Sequence, residues 1–373
     1  MWELRWVSLG GSRNICHRHM ASKSIFIAFT GPDFGQPEVA AEISPGYACW
    51  NLKKLPLDSF ISALKELIPP LNENVLLNYR ALDDDPQPNF GVRQSDYEHC
   101  SWGLLLPSPT VESLGGYWET LFLLNLYSPH FMRPIFYATD LGIMRPRQPK
   151  DLRLFFHDQN QVQRFSTKAF VEFHKGLVSE SVYSVWQADR VARWQKEDWR
   201  LFVACLLYSE LQQYENSKHV FTWQRESADL ATILEALFTA GDDDTGEVGY
   251  KLRKRIAVLL SARIPGIEKD IRDLYTQRSA FVHGSFFRHL SRETKASQGM
   301  AELPHPPFDF LYKQKENVRR ALIACLNLSK AQRGDPTIFP GCNNALELLE
   351  RAIIDTGLRS TVERNTSYIL GLL

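Results

Sequence analysis

The stretch Ile271–Gly284, IRDLYTQRSAFVHG, decides how the rest of the chain is read. Ile271, Leu274, Tyr275 and Val282 recur at helical spacing and trace one apolar stripe. Arg278 falls roughly 20° from Ile271 around such a helix, at or beside the inward face. A guanidinium placed there needs a carboxylate partner or a polar cleft, because an unpaired buried charge is costly. His283 follows five residues later, and Gly284 is the expected helix C-cap. At roughly 140° from Arg278, the histidine does not share its face. The two converge on one ligand only if the helix end distorts, or if a second copy of the motif faces the first.

Working outward, the same periodicity extends in both directions. Leu230, Ile233, Leu234, Leu237 and Phe238 form an i, i+3, i+4, i+7, i+8 stripe, and Glu235 rides on that helix. Helices are expected over Lys251–Ala262 and Ile267–Val282, with Pro265 at a helix start. Ser181–Tyr214 reads as one or two helices, and Phe308–Lys330 and Asn344–Thr356 as further ones, with Tyr368–Leu373 packing back. The first part of the chain has a different texture. Residues 23–29, Val75–Tyr79 and Ser101–Leu106 suit strands, while Leu57–Leu67 and Val111–Tyr127 have helical spacing. Gly142–Asp151, with two prolines and three basic residues, is the expected linker, and Leu152–Phe156 one more strand. The expectation is an α+β chain of two domains. Residues 23–150 make a mixed α/β or β-rich domain, and residues 179–373 an all-α helical bundle. Residues 1–22 read as a disordered start without the apolar core of a signal peptide.

Bulk properties bound the function classes. No apolar run approaches a membrane span, so no membrane partner is expected. Six scattered cysteines with no CxxC pair fit free thiols in a reducing cytoplasm, with Cys205 and Cys325 buried in helices. The formal net charge is zero, yet residues 251–295 hold eleven Lys/Arg against four acids. Such a run is ordinarily a solvated helix surface. Beside the arginine and histidine it reads instead as a phosphate-binding patch, with Lys251, Arg253, Lys254, Arg255, Arg272 and Arg288 as candidate RNA contacts. No cofactor is called for. Cys16, His17 and His19 lack a second ligand pair, and the aspartate runs 83–85 and 242–244 read as solvated loop acids, so no metal site is expected either.

The segment R-S-A-F-V-H-G (Arg278–Gly284) resembles the R-x4-6-H motif of the HEPN superfamily, and its surroundings are similar to the ApeA-like branch. Trp223 and L-E-A-L-F (Leu234–Phe238) come first, Y-K-L-R-K-R-I-A-V-L-L (Tyr250–Leu260) second, and L-Y-T-Q-R-S-A-F-V-H-G (Leu274–Gly284) third. The resemblance covers about half the chain, Ser179–Leu373. It implies a four- or five-helix bundle that forms a homodimer, joining two motifs into one composite cleft. It also implies metal-independent endoribonuclease activity, in antiphage defence or abortive infection, on tRNA or another structured RNA. Carried over by motif, the catalytic pair is Arg278 and His283. Ser279 stands where active members often carry Asn, Asp or His, and His283 is not followed two residues later by the Tyr of adenylylated toxins.

The residue types suit that chemistry. RNA carries its own nucleophile, the 2′-hydroxyl. A protein then has to supply a proton-transfer group near neutral pKa, which histidine is, and a fixed cation for the phosphorane, which arginine is. Against this stands a structural reading, in which His283 serves the helix end and Arg278 pairs with Glu235. An inactive module binding RNA or a partner protein, and a purely structural helical dimer, are the alternatives.

Overall fold

The structure, a computed structural model, describes residues 24–30, 40–44, 47–67, 97–107, 122–124, 126–127, 133–139, 142–144, 167–177, 199–211, 222–239, 248–283, 308–334, 336–339, 341–342 and 344–373. The expectations for residues 1–22, Val75–Tyr79, Leu152–Phe156, the two aspartate runs, Gly284 and Arg288 lie outside these residues.

The described chain is mostly helical, with one antiparallel sheet. Its strands are β1 (Ser24–Thr30), β2 (Ala40–Ser44), β3 (Tyr47–Asn51), β4 (Trp102–Pro107), β5 (Arg133–Thr139) and β6 (Gly142–Met144), in the order β2-β3-β4-β1-β5-β6. β1 is interior and pairs with β4 and β5. Successive strand residues point to opposite faces, so β1 feeds two cores. Ile27 and Phe29 share a face with Leu104 and Trp102, and the Phe29 and Trp102 rings stack at 4.3 Å. Phe26 and Ala28 share the other face with Ala138 and Phe136. Helix α1 (Leu57–Leu67) covers that second face with Phe60 and Leu64. Gly103 is required there, because a Cβ would stand 2.0 Å from the Phe26 ring.

The helices are α2 (Thr167–Leu177), α3 (Trp199–Leu211), α4 (Thr222–Phe238), α5 (Val248–Leu260), α6 (Ile267–Val282), α7 (Phe308–Gly334), α8 (Ala345–Ala352) and α9 (Thr356–Gly371). At about 40 Å, α7 is the longest, and the others gather around it. Its residues Ala321–Leu326 are buried without a break, the mark of a helix enclosed on all sides. Asn344 caps α8 by accepting from the Glu347 amide, and Asp355 caps α9 by accepting from Gly357 and Leu358.

One apolar cluster takes in Ile27, Phe29, Trp102 and Leu104 from the sheet together with residues of α2 through α9. The sheet's inner face and the helices therefore share a core, and no apolar boundary separates them. Two details differ from the sequence reading. Gly142–Met144, expected to begin a linker, is an edge strand paired with β5. Helix α2 lies ahead of residue 179, where the helical region was expected to begin.

Candidate functional site

Helix α6 runs over Ile267–Val282, and its hydrogen bonding continues one residue further, with the His283 amide donating to Ser279 O at 3.0 Å. Its end is therefore regular. Ile271 and Leu274 are fully buried, which fixes the rotation of the helix. Gly266, at φ +83° in the preceding turn, sets the reversal from α5.

Arg278 emerges at the edge of the buried stripe, its side chain 31% exposed. Its Nη2 lies 3.4 Å from both carboxylate oxygens of Glu235 on α4. The Tyr275 hydroxyl donates to the same carboxylate at 2.8 Å. Burial, reinforced by that hydrogen bond, pushes the Tyr275 hydroxyl above its ordinary range and keeps it a donor. Glu235 thus gathers a cation from one turn of α6 and a hydroxyl from the turn before. The arginine–glutamate pair was legible in the sequence. Tyr275 was read only as part of the apolar stripe, although a tyrosine with its ring on a core stripe commonly seeks a polar partner at its tip.

His283 lies elsewhere. It is exposed and continues a line along α6 made by Arg272, Thr276 and Ser279, spaced i, i+4, i+7, i+11. These four positions fall within a sector of about 60°, and Arg278 lies roughly 140° from His283. Within one chain the structure does not bring the motif arginine and histidine onto one face.

The Arg272–His283 line borders an open groove of about 550 Å³ between α5 and α6. Gly249, Tyr250 and Arg253 form its α5 wall, and Arg272, Thr276 and Ser279 its α6 wall. Arg253 donates through Nε to Gly249 O at 3.0 Å. Arg272 is exposed beside Asp273 at 3.8 Å. Lys254 pairs with Glu268 at 3.0 Å and stands 5.6 Å from the centre of the Tyr250 ring. Lys251 is half-buried.

Arg255 is a correction. Read as a surface cation, it is 2% exposed, because it occupies the inner stripe of α5 with Leu252, Ile256 and Leu259. Its Nη1 donates to Phe238 O at the end of α4, and its Nη2 meets Glu350 of α8. A cation at that point satisfies an orphan carbonyl and the negative end of the α4 dipole. Arg255 ties three helices together and is removed from the candidate RNA surface.

Among the described residues no group of three or more His, Cys, Asp or Glu is placed to hold a metal ion, and no helix is long and apolar enough to cross a membrane. Comparison with protein-family models, curated proteins and solved structures finds no match.

Proposed function

We propose that this chain is a metal-independent endoribonuclease of the HEPN type, acting in the cytoplasm as a homodimer on tRNA or another structured RNA. Its setting on this reading is antiphage defence or abortive infection. The helices from residue 179 onward then form the HEPN domain, and residues 23–150 the sensing or restraining part. The supporting observation is the disposition of α6. Arg278 is partly exposed and paired with Glu235, and His283 is exposed on the line it shares with Arg272, Thr276 and Ser279.

The chemistry follows from what each group can do. A histidine takes the proton from the 2′-hydroxyl as its oxygen attacks the adjacent phosphorus. The P–O5′ bond breaks, the 5′-oxygen leaves with a proton from an acid, and a 2′,3′-cyclic phosphate remains. The Arg278 guanidinium stabilises the charge gathered on the phosphorane oxygens. Since the two residues sit on different faces of one helix, the composite cleft needs α6 of a second copy.

A specific observation favours a second reading. Arg278 already has a carboxylate partner, and Ser279 is a weaker polar group than the residues common at that place. On this reading the chain is an inactive module that binds RNA or a partner protein.

The test is incubation of the wild type, Arg278→Ala and His283→Ala with total cellular RNA in excess chelator, followed by identification of the product ends. Cyclic phosphate ends, lost by about 100-fold or more in both folded variants, are the expected result. Binding without cleavage by the wild type supports the module, and cleavage that survives both substitutions rejects the site.

A further inference from the structure

The α5–α6 groove has features that neither residue of the motif uses. Tyr250 stands at its rim and is half-exposed. Lys254 stands over that ring and is itself anchored by Glu268. Arg253 is braced through Nε, and Arg272 lines the other wall. Thr276 and Ser279 add hydroxyls between them, and no carboxylate is among the described lining residues. An aromatic face beside two guanidinium groups is the combination that binds unpaired nucleotides, where a base stacks and the backbone is held electrostatically. A duplex keeps its bases stacked on one another and offers none to Tyr250.

We propose that this groove holds an unpaired stretch of RNA, with one base stacked on Tyr250 and the flanking phosphates held by Arg253 and Arg272. The inference rests on reading α6 as an RNA-facing helix, and it narrows the substrate to a loop or single-stranded segment. The line Arg272–Thr276–Ser279–His283 then carries the strand from the groove toward the histidine.

The test uses the full chain and a fluorescent 2′-O-methyl oligonucleotide, which cannot be cleaved by 2′-hydroxyl attack, so that binding is read apart from catalysis. The wild type is expected to bind the single strand more tightly than a blunt duplex of the same sequence. Tyr250→Ala weakens binding about tenfold, and Tyr250→Phe restores it. Arg253→Ala and Arg272→Ala each lower the slope of log affinity against log salt by about 0.7. Unchanged affinity in Tyr250→Ala, or a duplex bound as well as the single strand, overturns the proposal. So does a Tyr250→Ala variant that binds RNA normally but changes its oligomeric state in sedimentation, which identifies the groove as a protein interface. If this pattern holds while natural RNA stays uncut, the groove stands and the nuclease reading falls. Cleavage with binding indifferent to Tyr250 gives the reverse.

Discussion

Two arginine–glutamate pairs in this protein are made of the same groups and differ in nearly everything else. Arg319 of α7 is 2% exposed, and its Nε and Nη2 each reach a Glu316 oxygen at 2.7 Å. Its Nη1 also donates to Leu126 O and to Tyr127 O, the latter at 3.1 Å, so the guanidinium ties α7 to the helical residues 126–127. Burial pushes the Glu316 carboxyl up, but Arg319 and Arg320 outweigh it and hold it below the usual range. Arg278 has one nitrogen on its carboxylate at 3.4 Å and open solvent beside it. The enclosed pair has all three guanidinium nitrogens bonded to the protein itself. The open pair keeps donors for something outside it, and that, more than the presence of an arginine on an inward face, separates a candidate site from a structural clamp.

The sharpest way to break this comparison is to truncate the enclosed member. Arg319→Ala strands two buried carbonyls and part of the Glu316 charge, and should cost about 3–5 kcal/mol in equilibrium denaturation. A loss near zero would mean that this residue does not tie α7 to residues 126–127.

The packing of α2 against α7 should respond to acid. His174 of α2 is 3% exposed, with its ring 5.9 Å from that of Phe170. Burial chiefly, and the nearby Lys330 charge, lower its pKa to about 4. The unfolded chain, at about 6.5, takes up the proton first. The stabilisation is therefore full above pH ~6.5 and is lost as the pH falls toward 4, on the order of 3 kcal/mol. Denaturation curves of the wild type and His174→Gln should diverge over that window and run parallel above it.

Adjacent residues on α5 give a smaller contrast. Arg255→Ala should cost about 2–3 kcal/mol, since it leaves the Phe238 carbonyl buried without a donor. Lys254→Ala, one residue away and a third exposed, should cost under about 1 kcal/mol. Equal effects would show that burial is the wrong criterion for sorting these cations. Arg278→Ala should likewise cost no more than about 1 kcal/mol of stability in equilibrium denaturation. A large loss there would make Arg278 a clamp like Arg319 and weaken its candidacy as a catalytic group.

Where burial and periodicity agreed, the sequence was readable. Leu57–Leu67 and Ile267–Val282 were expected with the bounds found, because each carries an apolar stripe with clear ends. Helix α9 was missed, its last residues being expected only to pack back. Its Thr, Ser, Asn and Gly content gives little intrinsic helix preference, and it is held by the Asp355 cap and by Val362, Thr366, Ile369 and Leu370 packing at i, i+4, i+7 and i+8. Strands β2 and β3 were missed because five residues such as Ala40–Ser44 or Tyr47–Asn51 show almost no alternation and are defined by their neighbours. Arg255 was misread for a different reason. The angular test applied to Arg278 places Arg255 three residues after Leu252 and one before Ile256, on the inner stripe, but the run of neighbouring lysines and arginines suggested a surface. Tyr250 gave no signal, since only the groove beside it marks the ring as exposed for use.

The central strand has a consequence for how the protein is made. Ile27 finds its neighbours in Leu104 and Tyr137, so β1 is completed only when β5 has been synthesised. Once β4 has paired with one edge, Phe26, Ile27 and Phe29 still wait with the other edge of their strand open, a surface that invites pairing with other chains. A ribosome stalled before β5 would carry an adhesive nascent chain, and production of this protein should be sensitive to chaperone supply between the synthesis of β1 and that of β5.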